Sequence, residues 1–286
     1  MLQQIDQPIS PAELRERVYA GEILHFTSLP EIKQFCNGAR QICESLLDSA
    51  EPVNSHKTAD YNEWLKQVYR FQLAARANVD CKKMFSQALE SIGLKLAESF
   101  CDRFIFRVVP PQSDQAQGTH SWVGTHRDTW GAGIYQQINW WAPIYPYAEG
   151  CGIEFYPDYF KRPIANTTAE WRYEQFSSAR RQQSVELKPR FMSVPNLLEK
   201  PTSAIFKPVI QPGELLCFSA AHLHGSGTNL SDHCRFSFET RTVNLQDIRS
   251  GCRAKNVDND SSAQLLKLFS NLADGSPLTR AHFDLA

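Results

Sequence analysis

The sequence predicts a mainly β protein with flanking helices: an antiparallel barrel or jelly roll preceded by an N-terminal helical scaffold. Three observations carry this. The first hundred residues place apolar side chains at three- and four-residue spacings, as helices buried along one side require. From Arg103 onward the texture changes to short runs of aromatic and β-branched residues punctuated by Pro and Gly, which reads as several short strands. The chain of 286 residues is 42% hydrophobic and 21% charged, an ordinary globular composition that buries roughly three-quarters of its unfolded surface.

In chain order, Ser10-Pro-Ala-Glu13 and Ser28-Leu-Pro-Glu31 each offer a capping hydroxyl followed three residues later by glutamate, and predict helix starts. The second helix runs toward Leu47, and further helices are expected over Asn62 to Arg76 and Lys83 to Phe100. Strands are expected over Phe104 to Val109, Tyr135 to Ile144, Gly152 to Tyr156, Glu214 to Phe218 and Arg235 to Val243. Lys161 to Pro208 interrupts them as a long, polar, Arg-rich insertion, a length often used for lids and substrate-binding elements. Ser261 to Leu272 returns to a helical pattern. One domain therefore spans 1–286, divided into a helical scaffold (1–100), a β core (101–246, with the 161–208 insertion) and a helical tail (247–286).

Charge excludes some partners. With 30 Lys+Arg against 31 Asp+Glu the net charge is −1, so no polyanion-binding field exists and a nucleic-acid partner is not expected. No apolar run approaches a membrane span and the start carries no signal-peptide pattern, so the expected location is cytoplasmic and the expected partner a small molecule. The eight cysteines contain no CxxC pair, and several lie in apolar runs; buried free thiols are expected.

The chemistry concentrates in Val123-Gly-Thr-His126-Arg127-Asp128-Thr-Trp130. In an extended strand residues i and i+2 share a face, so His126 and Asp128 can aim an imidazole nitrogen and a carboxylate at one point. Downstream, Ser219-Ala-Ala-His222-Leu-His224-Gly-Ser-Gly-Thr-Asn229 ends an apolar strand in histidine, then turns into a strand that opens with Arg235. Two histidines and a carboxylate on one face leave the opposite positions of an octahedral iron open. His222 and His224 share a strand face, and the residues alone leave both available as the second imidazole.

At these positions the chain resembles the phytanoyl-CoA dioxygenase family of Fe(II)/2-oxoglutarate-dependent oxygenases. The resemblance rests on His126-x-Asp128, on His224-Gly-Ser-Gly-Thr-Asn229, and on Arg235, eleven positions after that histidine; it covers roughly residues 103–243. Stretches such as Gln137-Ile-Asn-Trp-Trp141 look like a bacterial branch found in antibiotic biosynthesis. The resemblance implies a double-stranded β-helix (cupin-like jelly roll), and selects His224 over His222 because the ligand directly precedes the Gly-Ser turn. It further implies Fe(II) held by His126, Asp128 and His224, with 2-oxoglutarate and O2 as co-substrates. Hydroxylation of a C–H bond in a small polar metabolite, such as a sugar, cyclitol or amino-acid derivative, is the leading outcome. Desaturation, epoxidation or ring oxidation at the same site is the first alternative, and a non-catalytic jelly-roll ligand binder the second.

Arg235 suits the distal carboxylate of 2-oxoglutarate, since a planar guanidinium pairs with it bidentately, and Ser237 lies on the same strand face. Arg241 is a second candidate for that clamp. Gln137 and Asn139 place two amides on one face, available to the cosubstrate or to a polar substrate. Arg107, Trp130, Trp171 and His120 are candidate substrate contacts, whereas Arg127 alternates away from the metal face and is expected to be structural. The insertion, with Trp171, Tyr173 and several arginines, is expected to close over substrate.

Overall fold

A computed structural model describes residues 2–7, 9–58, 60–112, 123–174 and 195–284. Its centre is an eight-stranded sheet in the order β1 (Leu2–Ile5), β2 (Ile23–Phe26), β7 (Leu215–Ser219), β5 (Gln137–Pro143), β9 (Arg235–Asn244), β3 (Ser99–Cys101), β10 (Ser270–Asn271), with β4 (Ile105–Val109) also paired to β9. A smaller sheet pairs β6 (Ile153–Phe155) with β8 (His224–Ser226) and is extended by single bridges from Phe155 to Phe206 and from His224 to His126.

Strand alternation sorts the side chains of the large sheet onto two faces. Outward, Phe26, Trp140, Cys217, Phe236, Phe238, Phe106 and Val108 join Ile32 and Phe35 of helix α2 (Pro30–Leu47), Phe71 of α3 (Tyr61–Ala77) and Phe85 of α4 (Val79–Ser91) in one core. Phe35 is its hub, with ring centroids 4.5 Å from Phe238 and 6.0 Å from Phe106. Inward, Ile23, Trp141, Leu216 and Phe218 pack against Ile153 and Phe155 of the small sheet, with Phe155 edge-on to Phe218 at 4.8 Å. Two facing sheets with helices over the far side of the larger one form the jelly-roll arrangement with its helical scaffold.

Helix α1 (Pro11–Ala20) starts as expected: the Ser10 hydroxyl accepts from the Glu13 N–H at 3.1 Å, with Pro11 in the first turn. It ends at Gly21 with φ +100°, where a Cβ would meet the Phe160 ring at 2.6 Å. Ser28 does not cap α2. Residues before proline avoid the helical region, so Leu29 stays extended (φ −114°, ψ 98°) and the helix starts at Pro30.

Three expectations fail for tertiary reasons. The scaffold region contributes β1 and β2 to the sheet, because Ile23-Leu-His-Phe26 is buried on both faces and such a run lacks periodicity. The helix expected to reach Phe100 stops at Ser91; Gly93 turns the chain at φ +86°, and Ser99–Cys101 pairs with β9. The expected tail helix over 261–272 is a single 3-10 turn (Leu266–Leu268) followed by β10. There Asn271 donates its amide to Ala97 O and accepts from Ala273 N, local bonds that compete with helix formation. Short helices α6 (Leu245–Ser250) and α7 (Ala281–Asp284) flank that stretch. All eight cysteines are free, and seven are buried.

Candidate metal centre

His126 and His224 exchange backbone hydrogen bonds (N to O, 2.8 and 2.9 Å), which sets their rings side by side at 4.7 Å. Asp128 does not continue as strand. It opens the short helix α5 (Asp128–Ala132), and this turn swings its carboxylate back toward both rings. His126 Nε2 lies 3.6 Å from Oδ1 and His224 Nε2 3.5 Å from Oδ2. The three ligand atoms lie within 4.8 Å of one another, and all three residues are buried.

The hydrogen bonds behind the ligands fix the tautomers. His126 Nδ1 meets Gly124 O at 2.8 Å and His224 Nδ1 meets His222 O at 2.9 Å. A carbonyl oxygen only accepts, so each Nδ1 carries the proton and each Nε2 turns a lone pair toward Asp128. Burial pushes the His224 pKa down to about 4, keeping that ring neutral. Burial pushes the Asp128 carboxyl up, but the Arg241 guanidinium opposes it, and the carboxyl stays well below the usual carboxylate range. Two neutral imidazole lone pairs and an anion converging in a buried space make a donor set that fits a divalent first-row metal.

Around this point lies a partly open cavity, walled in part by Asn139, Trp141, Phe218, Arg235, Glu239 and Arg241. Arg235 is buried at its far end. Its Nη1 donates to Cys151 O at 2.9 Å and Gly152 O at 2.8 Å, and its Nη2 to Ser226 Oγ at 3.3 Å, while Nε has no partner among the described residues. Burial lowers its pKa to about 10, and among the described residues no carboxylate lies within ion-pairing distance. An uncompensated buried cation is costly unless an anion joins it.

Other candidates stand elsewhere than the sequence suggested. Asn139 lines the cavity, with its amide donating to Asp128 Oδ2. Gln137 sits behind Asn139, donating to its Oδ1 at 3.3 Å, and is not part of the cavity wall. Ser237 is buried with no partner for its hydroxyl among the described residues, and likewise lies off the wall. Arg241 is no distal clamp, since it pairs with Asp102 and Asp128. Arg107 does line the cavity, tied to Glu239 (Nε to Oε2, 2.8 Å). Trp130 is turned by α5 away from the cavity into a separate core with Tyr156, Tyr159, Ile164 and Leu223, its Nε1 donating to Asp258 Oδ1 at 2.7 Å. Trp171 stacks loosely on Tyr173 at 6.3 Å, off the cavity wall. His120 and residues 175–194 of the insertion lie outside the described residues, and the closure expected of that insertion falls there.

Sequence reasoning missed Glu239, Asp102 and Asp258. Glu239 was available from the same alternation along β9 that singled out Arg235 and Ser237. The other two carry no local signal. Asp258 accepts from Arg127 Nε and Nη2 (both 3.0 Å), Trp130 Nε1 and Ile164 N, so it anchors the residue between the two ligands of the turn. Asp258→Ala strands the buried Arg127 guanidinium and is expected to lower unfolding free energy by about 3–5 kcal/mol. Urea titration checks this, and a change below about 1 kcal/mol contradicts it.

His222 is buried with Nδ1 3.1 Å from Ser219 O and Nε2 3.2 Å from Gly21 O, and its ring packs on Phe160 at 4.5 Å. Burial pushes its pKa down to about 3. The unfolded histidine titrates near 6.5, so below that pH the unfolded chain binds the extra proton and stability falls as pH drops toward 3. From pH 7 to 5 this residue is expected to cost about 2 kcal/mol. Urea unfolding of His222→Gln should show a correspondingly flatter pH dependence, and an identical slope in the two proteins refutes the assignment.

No protein-family model matches this sequence, and no curated protein matches it. Solved structures similar to this chain include EvdO2 from Micromonospora carbonacea var. aurantiaca complexed with 2-oxoglutarate (15% identity, 85% of this chain and 94% of that one, TM-score 0.45). They also include the non-heme monooxygenase ThoJ in a nickel complex (12% identity, 82% and 78%, TM-score 0.40). A third is the epimerase SnoN with Fe3+, alpha ketoglutarate and nogalamycin RO (13% identity, 82% and 85%, TM-score 0.43).

Proposed function

We propose that this chain is an Fe(II)- and 2-oxoglutarate-dependent oxygenase that hydroxylates a C–H bond of a small polar metabolite. The observation that carries the reading is the convergence of two Nε2 lone pairs and one carboxylate in a buried cavity, with both Nδ1 protons committed to backbone carbonyls. His126, Asp128 and His224 would hold the metal, which leaves its remaining positions for cosubstrate and O2. When bound, Fe(II) supplies O2 activation coupled to oxidative decarboxylation of 2-oxoglutarate to succinate and CO2.

The chain's own residues do the rest. Arg235 anchors the distal carboxylate: among the described residues its buried charge has no carboxylate partner and its Nε no acceptor. Trp141, Ile153 and Phe218 give the cosubstrate's methylene chain apolar walls and keep water from the metal side of the cavity. Arg107 and Glu239 set a donor-rich group beside an acceptor on the same wall, suited to hydroxyl or amino groups of a polar substrate. The test is succinate formation from 2-oxoglutarate by the purified chain with Fe(II) and ascorbate. Turnover should require all three of metal, 2-oxoglutarate and O2, and should rise when the correct metabolite is added. Absence of succinate in protein that demonstrably binds Fe(II) and 2-oxoglutarate would overturn the reading.

A further inference from the structure

We propose that Asp102, outside the cavity wall, is a positioning residue for the metal site: it cancels the charge that Arg241 brings to the Asp128 carboxylate. The inference rests on reading His126, Asp128 and His224 as metal ligands and concerns what stands behind them. Arg241 Nη1 donates to Asp128 Oδ1 at 2.8 Å, on the oxygen that also faces His126. A guanidinium so placed would hold the carboxylate in a fixed rotation, yet its full charge would lie against an incoming divalent cation. Asp102 removes that conflict.

Its Oδ2 accepts from Arg241 Nε at 2.6 Å, and its Oδ1 from the Arg241 backbone N–H at 2.9 Å and the Thr240 hydroxyl at 3.0 Å. All three partners donate, so Asp102 serves as an acceptor-only carboxylate. Its side chain is nearly inaccessible at 5% exposure, against 22% for Arg241, so water screens the pair less than a surface pair. The register explains the geometry: β3 pairs with β9 up to Cys101 opposite Thr242, and Asp102 N then donates to Arg241 O at 3.0 Å. The end of β3 thus delivers one carboxylate to the back of Arg241 while β9 delivers its guanidinium to the front. With this pair neutral, Arg241 adds no net positive charge beside the Asp128 carboxylate.

The consequence has opposite signs for cations and anions, which a loss of packing would not produce. In the full chain, Co(II) affinity is measured by calorimetry, and N-oxalylglycine, a dianionic 2-oxoglutarate analogue, is then titrated at saturating Co(II). Asp102→Asn leaves Arg241 uncompensated, so Co(II) should bind about tenfold or more weakly, within the range typical of residues that orient ligands. N-oxalylglycine should bind the same variant as tightly as the parent or more so. Unchanged Co(II) affinity, or parallel weakening of both probes, overturns the proposal. If Asp102→Asn does not fold, Arg241→Met reads the coupling from the other side. It takes the cation from beside Asp128, so Co(II) should bind at least as tightly as in the parent and N-oxalylglycine more weakly; weaker Co(II) binding overturns the proposal. Failure of the parent itself to bind Co(II) would instead overturn the metal-site reading.

Discussion

Replacing His224 by alanine is expected to reduce Fe(II) or Co(II) affinity by more than roughly a hundredfold, beyond the range typical of residues behind the ligands. Among the described residues three metal-ligating side-chain atoms converge in the cavity, so removing one leaves a two-ligand site that competes poorly with water. The fold should survive, because His224 keeps its place in the small sheet through backbone bonds to His126 that alanine retains. His222→Gln is the control: its ring points at Ser219 O and Gly21 O, so that variant should bind metal like the parent. Equilibrium dialysis of both variants decides the assignment. Metal retained by His224→Ala but lost from His222→Gln would transfer the ligand role to His222.

The second large effect is expected at Arg235. Arg235→Met removes the one buried guanidinium of the cavity that lacks a carboxylate partner among the described residues. Loss of half of a buried ion pair costs about 3–5 kcal/mol, which weakens 2-oxoglutarate binding by about two to four orders of magnitude. Metal affinity should change far less, since Arg235 touches Cys151 O, Gly152 O and Ser226 Oγ and none of the three proposed ligands. Arg235→Lys keeps the charge but not the fork, so it should fall between. Calorimetric titration of 2-oxoglutarate into metal-loaded protein measures all three. An unchanged dissociation constant in Arg235→Met would move the anchor away from this residue.

Patterns with a local physical cause were legible without the structure. The Ser10 cap, the helices over residues 30–47 and 61–77 and the strands from Ile105 to Asn244 follow from hydrogen-bond satisfaction at helix ends and from the periods 3.6 and 2. The same period of 2 placed Arg235 and Ser237 on one face of β9, and would have placed Glu239 and Arg241 there too. What a side chain meets across the fold was not legible. Asn139 lines the cavity as the alternation suggests, but that its amide reaches Asp128 has no local signal; Trp130, a candidate substrate contact by sequence, is buried against Asp258.

The sequence by itself determined the type of most helices and core strands, the face on which each β9 residue lies, and which residue types are available for metal and carboxylate chemistry, because these depend on neighbours a few positions apart. Only the tertiary structure decided that β1 and β2 join the large sheet, that Asp258 braces Arg127, and that Asp102 stands behind Arg241. Asp258 lies 131 positions from Arg127 and Asp102 lies 139 from Arg241, and neither carries a motif of its own. A lone buried carboxylate is selected by the charge it must neutralise, and that charge comes within reach only when the strands and loops have packed.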